Sequence, residues 1–253
     1  MTDITSAPNR IDAFAVARVI ARVRDWAPRV HCITNTVAQN FTANVLAAIG
    51  AVPSMTVHAD EVASLVESAD GVLINLGTLD PERRAGIEAA VQAARANGKA
   101  WVLDPVKVDR VPLRRAFALT LIKQAPAIVR GNSGEMTALF PAIAAATGTA
   151  FAVTGARDSL SDGTRTVLVD NGHPMLARMV ATGCALSGLI AACRAVESDS
   201  LLAAAAATVA WGVAAERAAI GVAGPGSFAV RVIDEIGAMD TPTLERHALI
   251  SRG

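Results

Sequence analysis

The sequence predicts an α/β fold in which a mostly parallel central sheet is flanked by helices on both faces. From Pro28 onward, short apolar runs of strand length alternate with longer helix-like segments, the order typical of parallel sheets. Small or polar residues follow most of the strand-like runs, as expected where strands end at a ligand crevice. Hydrophobic residues make up 52% of the 253 residues, enough for a sizeable core. We therefore predict one domain over residues 1–253, with the polar segments 1–10 and 240–253 as loose ends.

The predicted elements follow one another in regular order. The first helix covers residues 11–25, where apolar side chains recur at helical spacing. The helix over 80–98 has clear boundaries, because Asp80 is a typical N-cap, Pro81 suits the first turn and Gly98 suits the end. The other predicted helices are 35–49, a segment from 60, 113–124, a segment from 132, and two long apolar helices from 182 onward. The predicted strands are 29–34, 51–57, 71–77, 100–106, 127–131, 149–155 and, as part of a hairpin, 166–172.

The composition favours a small-molecule ligand. Lysine plus arginine equals aspartate plus glutamate at 23 each, and a neutral chain without basic runs argues against nucleic acid or an anionic membrane as partner. Three scattered cysteines without a CxxC pair indicate a reducing compartment, and we expect a cytoplasmic protein. The apolar run 201–215 is rich in alanine and stops at a charged pair. It is therefore predicted to be a buried helix rather than a membrane span.

The segment "ATGC" at 181–184 opens an apolar helix and carries a first candidate site. Thr182 and Gly183 would leave backbone N–H groups unpaired there, and the helix dipole favours an anion at that point. A thiol in the same turn, Cys184, would have its thiolate stabilised. The alternative is a threonine cap followed by small residues that let two helices pack closely. Both interpretations stay open on this segment alone.

Two carboxylates follow strand-like runs. Asn132 and Glu135 in "RGNSGE" form a capping-box pattern, yet Glu135 would also lie at a strand end, where a carboxylate can hold Mg²⁺. Asp104 in "LDPV" either starts a turn or supplies a second metal ligand. Carboxylates at neighbouring strand ends beside an anion site indicate metal-assisted phosphoryl transfer.

The sequence lacks two common nucleotide-binding motifs, and several of its histidines and cysteines favour a structural interpretation. No P-loop and no strand-linked G-x-G-x-x-G occurs in the sequence. His31 is predicted to be structural, and His58 and His173 fall near turns. Cys32 and Cys193 are predicted to lie in the core.

The order of several motifs resembles the hydroxyethylthiazole kinase family, which has the ribokinase-like fold. The resemblance covers most of the chain, from "VHCITN" to "GPGSFAV". Its most specific blocks are "HCITN", "NFTAN", "LINLGTLD", "VLDPV", "RGNSGE", "VTG", "NGHP" and "TGCALSG".

The resemblance implies a kinase that phosphorylates 4-methyl-5-(2-hydroxyethyl)thiazole with ATP and Mg²⁺ in thiamine salvage, as a homotrimer with active sites shared between subunits. It implies that Met55, Gly183 and Asn35 bind the thiazole. It places Arg130, Thr154 and Asn132 at ATP, and Asp104 and Glu135 at the metal. It also implies an anion hole at Gly183, with Cys184 against the substrate hydroxyl as a base or a positioning group.

Three features depart from the family pattern. "KVDRV" at 107–111 stands where a glycine-rich "GVGAT"-like segment is usual, the region after "RGNSGEMTALF" is short, and Ala181 replaces the first glycine of "GTGC". Lys107 would supply a phosphate-binding charge, or the changed loop would signal another substrate or weakened catalysis. A kinase for a related alcohol, such as a hydroxymethylpyrimidine, and a silent metabolite-binding protein are therefore alternatives.

Overall fold

The computed structural model describes residues 10–253. Its helices are α1 Ala13–Trp26, α2 Gln39–Ile49, α3 Ala59–Ser68, α4 Pro81–Ala96, α5 Pro112–Ile122, α6 Ser133–Ala138, α7 Phe140–Ala145, α8 Thr182–Val196, α9 Ser200–Ala218, α10 Pro225–Gly237 and α11 Thr241–His247. Its strands are β1 Arg29–Ile33, β2 Val52–Ser54, β3 Gly71–Asn75, β4 Trp101–Asp104, β5 Ile128–Asn132, β6 Ala150–Thr154, β7 Asp158–Ser161, β8 Thr166–Val169 and β9 Ile250–Arg252. A 3-10 helix spans Pro174–Arg178.

The strands form one nine-stranded sheet in the order β2-β1-β3-β4-β5-β6-β7-β8-β9. Neighbouring strands from β2 through to β6 pair in parallel, whereas β6, β7, β8 and β9 pair antiparallel. The prediction of a mostly parallel sheet is confirmed, as is the hairpin that contains β8. The carboxyl ends of the parallel strands consequently lie along one edge of the sheet.

Helices cover both faces of the sheet. In β3, Leu73 packs into one hydrophobic cluster, whereas Val72 and Ile74 pack into the other, because successive strand residues point to opposite faces. The first cluster holds residues of α1, α2, α8, α9, α10 and α11, and the second holds residues of α3, α4, α5 and α6. The predicted arrangement of helices on two faces is confirmed.

Local sequence signals account for several boundaries. The Asp80 side chain accepts from the backbone N–H of Arg83 at the start of α4, and Gly50 ends α2 in the left-handed conformation with φ +98°. The helix predicted from residue 35 begins only at Gln39, because the Asn35 side chain accepts from the N–H of Ala38 and forms a turn before the helix. The strand predicted over 51–57 is reduced to β2.

The C-terminal segment corrects one expectation. Residues 241–247 form α11, capped by the Asp240 side chain, and Leu244 is fully buried. Residues 250–252 then pair with β8. The prediction of a loose end over 240–253 is wrong, since a polar composition concealed one buried leucine and a backbone pairing. Residues 1–9 of the other predicted loose end lie outside the described residues.

Helix α9 is, within residues 10–253, the helix long and apolar enough to cross a membrane. Of its most apolar window, 83% is buried inside the fold. Its five consecutive alanines, residues 203–207, are fully buried. The prediction of a buried core helix is therefore confirmed.

Candidate active site

Residues singled out in the sequence lie at the carboxyl-terminal edge of the parallel strands. Asp104 is the last residue of β4 and stands in register with Asn75, the last residue of β3. Asn132 and Thr154 are in register at the ends of β5 and β6. Helix α8 begins beside this edge and contacts β1, β3 and β4. Parallel pairing thus places along one edge side chains that are up to 79 positions apart in the chain, from Asn75 to Thr154.

Asp104 is a buried carboxylate with one oxygen occupied and one free. Its exposure is 1%. Oδ2 accepts hydrogen bonds from Nδ2 of Asn75 at 2.8 Å and from Oγ of Ser187 at 2.9 Å. Oδ1 has no hydrogen-bond partner among residues 10–253. Burial raises the pKa of Asp104 to about 6, although the positive charge of Arg130 opposes the shift.

Cys184 lies beside the same carboxylate, and its sulfur faces two amide groups. Nδ2 of Asn35 and Nδ2 of Asn75 donate to Sγ over 3.2 and 3.3 Å. Burial, and then the negative charge of Asp104, raise the pKa of Cys184 to about 11. The expectation that the start of the helix would stabilise the thiolate is wrong, because loss of hydration and a nearby carboxylate outweigh the favourable hydrogen bonds.

The other two cysteines belong to the core, as predicted. Cys32 and Cys193 are buried, and burial raises the pKa of each to about 12. His31 is likewise structural, since it is fully buried and its Nδ1 lies 2.8 Å from Oγ of Ser54. His173 lies outside the core, in the wall of the pocket described below.

Arg130 extends from β5 to the first turn of α8. Its Nη2 donates to Oγ1 of Thr154 at 2.6 Å. A Cβ on Gly183 would lie 2.9 Å from Nη2 of Arg130 and nearer still to Nη1. The guanidinium therefore fills the space that a Cβ at position 183 would need. A fixed cation and the N-terminal end of a helix meet there, which is a suitable arrangement for an anionic group.

Glu135 has both carboxylate oxygens engaged by backbone N–H groups. The capping box is present: the N–H of Glu135 donates to Oδ1 of Asn132, and the N–H of Asn132 donates to Oε2 of Glu135, each over 2.9 Å. Oε1 accepts from the N–H of Lys107 at 2.7 Å. Glu135 thus joins the turn after β5 to the loop after β4.

A pocket of about 680 Å³ adjoins this edge of the sheet. At one end its wall contains Arg130, Asn132, Thr154 and Gly183 of the predicted site. The rest of the wall comes from the loop after β6 and Asp158, from residues 171–174, 176 and 177, and from one side of α8 and α9, with Leu186, Thr208 and Trp211 among its members. The cation of Arg130 therefore shares the wall with polar and apolar side chains. A mixed wall of this kind suits an amphipathic anion such as a nucleotide.

Three further predicted residues form a second group beside the pocket wall. Asn35, Asp104 and Cys184 share the hydrogen bonds and charge interactions described above. Gly183 belongs to the pocket wall and directly precedes Cys184, so the two groups adjoin. Met55 is half-buried and follows β2, the strand next to the one that precedes Asn35.

Asn75 and Ser187 were missed as individual site residues. Both occur inside recognised blocks, "LINLGTLD" and "TGCALSG". Ser187 lies three residues after Cys184, a spacing that places both on one side of α8, and this was the available signal. The part played by Asn75 depends on strand register, which the sequence does not display.

Two of the departures from the family pattern adopt left-handed backbone. Lys107 has φ +60° and Ala181 has φ +71°. Glycine adopts this region without strain, whereas other residues do not. The backbone at both positions therefore has a conformation that glycine favours, although neither residue is a glycine.

Within residues 10–253, no cluster of three or more histidine, cysteine, aspartate or glutamate side chains could hold a metal ion by itself. Mg²⁺ is usually bound by one or two carboxylates together with substrate phosphates. Asp104, with its free buried oxygen, fits that requirement. Glu135 has fewer free positions, because both of its oxygens already accept hydrogen bonds.

Comparison with known proteins identifies similar chains. A family model described as "Hydroxyethylthiazole kinase family" matches residues 20–143 and 138–241. A probable hydroxyethylthiazole kinase of Agrobacterium fabrum is 45% identical over 240 residues, which cover 94% of this chain and 95% of the relative. A hydroxyethylthiazole kinase of Cronobacter sakazakii is 43% identical, with 88% and 92% covered.

Two solved structures are similar to this chain over most of its length. The structure of a hydroxyethylthiazole kinase protein from Pyrococcus horikoshii OT3 superposes with a TM-score of 0.91 at 36% identity and covers 94% of this chain and 98% of that one. A ribokinase-like superfamily protein from Enterococcus faecalis, with a TM-score of 0.61 at 16% identity over 94% of this chain and 93% of that one, shares the fold.

Proposed function

The chain belongs to the hydroxyethylthiazole kinase family, and from that membership and the site geometry we propose that it transfers the γ-phosphoryl group of ATP to the primary alcohol of 4-methyl-5-(2-hydroxyethyl)thiazole, a step of thiamine salvage. The observation that carries the proposal is the contact between Arg130 and the start of α8 at Gly183, directly beside Cys184 and Asp104. The part of the pocket that suits an anion thus adjoins side chains that can contact the hydroxyl group of an alcohol.

The pocket accommodates the nucleotide in this proposal. Arg130, Thr154 and Asn132 contact the phosphates, and the N–H groups at Gly183 face the transferred group. Phosphoryl transfer has a loose transition state, so the rate depends mainly on positioning and on stabilisation of charge. Arg130 is already held by Thr154, and little reorganisation is needed when charge develops on the phosphoryl oxygens.

The alcohol lies on the side of Asn35, Met55 and Cys184. Since the pKa of Cys184 is raised to about 11, its side chain is a neutral thiol near pH 7. We assign it the positioning of the hydroxyl rather than removal of the proton.

Asp104 and Glu135 are the residues that would hold Mg²⁺. Asp104 would offer its free oxygen, and Glu135 would act through water while it fixes the loop at Lys107. When bound, the metal ion supplies neutralisation of phosphate charge. We further propose a cytoplasmic homotrimer with shared active sites, as the family resemblance implies.

The test is a measurement of ADP formation with ATP and the thiazole alcohol, with and without Mg²⁺. We expect turnover that depends on Mg²⁺, and a loss of at least about 100-fold in Asp104→Asn, since removal of a group that stabilises charge typically costs that much. A parallel assay with a hydroxymethylpyrimidine separates the related kinase. Calorimetric binding of the thiazole alcohol without turnover of either alcohol would instead indicate a metabolite-binding protein.

A further inference from the structure

Asn75 is a fully buried amide at the end of β3 whose hydrogen-bonding groups are all in use. Its Oδ1 accepts from the N–H of Gly77 at 2.9 Å and from Nδ2 of Asn35 at 3.2 Å. Its Nδ2 donates to Asp104 and to Cys184. One side chain therefore contacts three residues of the candidate site.

The orientation of this amide is fixed by the backbone. The N–H of Gly77 is a donor, so the Asn75 atom that it contacts is the oxygen. The NH₂ group of Asn75 consequently faces Oδ2 of Asp104 and Sγ of Cys184.

Asn35 is fixed in the same way. The N–H of Ala38 donates to its Oδ1 at 3.0 Å, and its NH₂ group is therefore turned toward Asn75 and Cys184. Two independent backbone contacts thus aim two N–H donors at one sulfur.

The direction of the thiol proton follows from this arrangement. A thiol sulfur that accepts from two N–H donors has its lone pairs engaged, and its own S–H is left to donate elsewhere. On the proposed function, the group on that remaining side is the hydroxyl oxygen of the substrate alcohol.

We propose that Asn75 is a positioning residue that makes Cys184 a hydrogen-bond donor to the acceptor alcohol and that holds Oδ2 of Asp104, so that Oδ1 stays free. This role rests on the proposed kinase function and assigns Asn75 no contact with substrate. Its effect on the reaction passes through Cys184 and Asp104.

A double-mutant cycle with Asn75→Ala and Cys184→Ala tests the role. In the wild-type background we expect Asn75→Ala to lower kcat at least about 30-fold, because a bound alcohol loses its orientation. We expect the calorimetric Kd for the thiazole alcohol to change less than about threefold. In the Cys184→Ala background, the same substitution should lower kcat by a clearly smaller factor. Equal factors in the two backgrounds, or a loss confined to Kd, would overturn the proposal.

A second comparison does not require a substitution at the buried amide. A serine hydroxyl accepts and donates hydrogen bonds as a thiol does, whereas alanine does neither. We therefore expect Cys184→Ser to keep kcat within about tenfold of the wild type and Cys184→Ala to lose about 100-fold, with melting temperatures unchanged. Equal losses in the two variants would contradict the donor role. A wild-type protein without turnover of the thiazole alcohol would contradict the proposed function itself, and is thereby distinguished from failure of the Asn75 role alone.

Discussion

The guanidinium of Arg130 lies against the backbone of Gly183, in space that a Cβ would fill. The arginine is held there by its hydrogen bond to Thr154. The absence of a Cβ at position 183 therefore leaves room for a cation beside the start of α8.

Gly183→Ala should displace Arg130 and weaken nucleotide binding. We expect the affinity for a non-hydrolysable ATP analogue to fall at least about tenfold, or ~1.4 kcal/mol, in a calorimetric titration. Gly226→Ala is the matched control, since a Cβ there meets nothing within 4 Å. Unchanged affinity in Gly183→Ala would show that the guanidinium moves aside without consequence.

Asp104→Asn should stabilise the nucleotide-free protein at neutral pH. The folded-state pKa of about 6 exceeds the value of the unfolded chain, ~3.9. As pH rises from 4 to 6 the unfolded chain therefore releases the proton first, and this group lowers wild-type stability by about 3 kcal/mol across that window. The asparagine variant has no such loss. Urea unfolding between pH 4.5 and 7.5 measures the difference.

The exposed carboxylate Asp60 provides the control for that experiment. Its side chain is 92% exposed, so Asp60→Asn should change the free energy of unfolding far less than Asp104→Asn does. A stability difference between Asp104→Asn and the wild type that does not vary with pH would contradict the raised pKa.

Alkylation should modify Cys184 slowly and with a steep dependence on pH. Because burial raises the pKa of Cys184 to about 11, the rate with iodoacetamide should increase about tenfold per pH unit from pH 7 to 9 without levelling off. Mass spectrometry should locate a single label, since Cys32 and Cys193 are buried, and Cys184→Ser should remain unlabelled. A plateau below pH 9 would indicate a stabilised thiolate instead.

Lys107→Gly and Ala181→Gly should each stabilise the fold. A left-handed backbone costs a non-glycine residue about 1–2 kcal/mol, and the extra freedom of glycine in the unfolded chain offsets about 0.4–1 kcal/mol of that. We expect a net gain of about 0.5–1 kcal/mol per substitution in urea unfolding. Ala85→Gly, on the exposed side of α4, should instead destabilise by about 1 kcal/mol.

The strand ends could be predicted because each one combines an apolar run with a polar residue. Asp104, Asn132 and Thr154 were found in this way, and the parallel sheet placed them along one edge. Partners across the sheet could not be predicted, since they depend on register. Asn75 faces Asp104 only because β3 and β4 pair without an offset at their ends.

The direction of the pKa shift of Cys184 was harder to predict than the place of this residue in the fold. The sequence places Cys184 in the first turn of a helix, where a lowered pKa is expected. The fold adds burial and the neighbouring carboxylate of Asp104, which raise it. Both influences arise from tertiary contacts, and neither leaves a local pattern in the chain.

Helix α9 serves the core and the pocket at the same time. Its buried alanine run, residues 203–207, is followed by Thr208, Trp211 and Gly212, which line the pocket. A larger side chain in the run would push the helix and move the wall with it. Attempts to broaden the choice of phosphoryl donor by directed evolution should therefore find tolerated changes in the partly exposed segment 172–177, whereas substitutions on α9 should alter donor choice and thermal tolerance together.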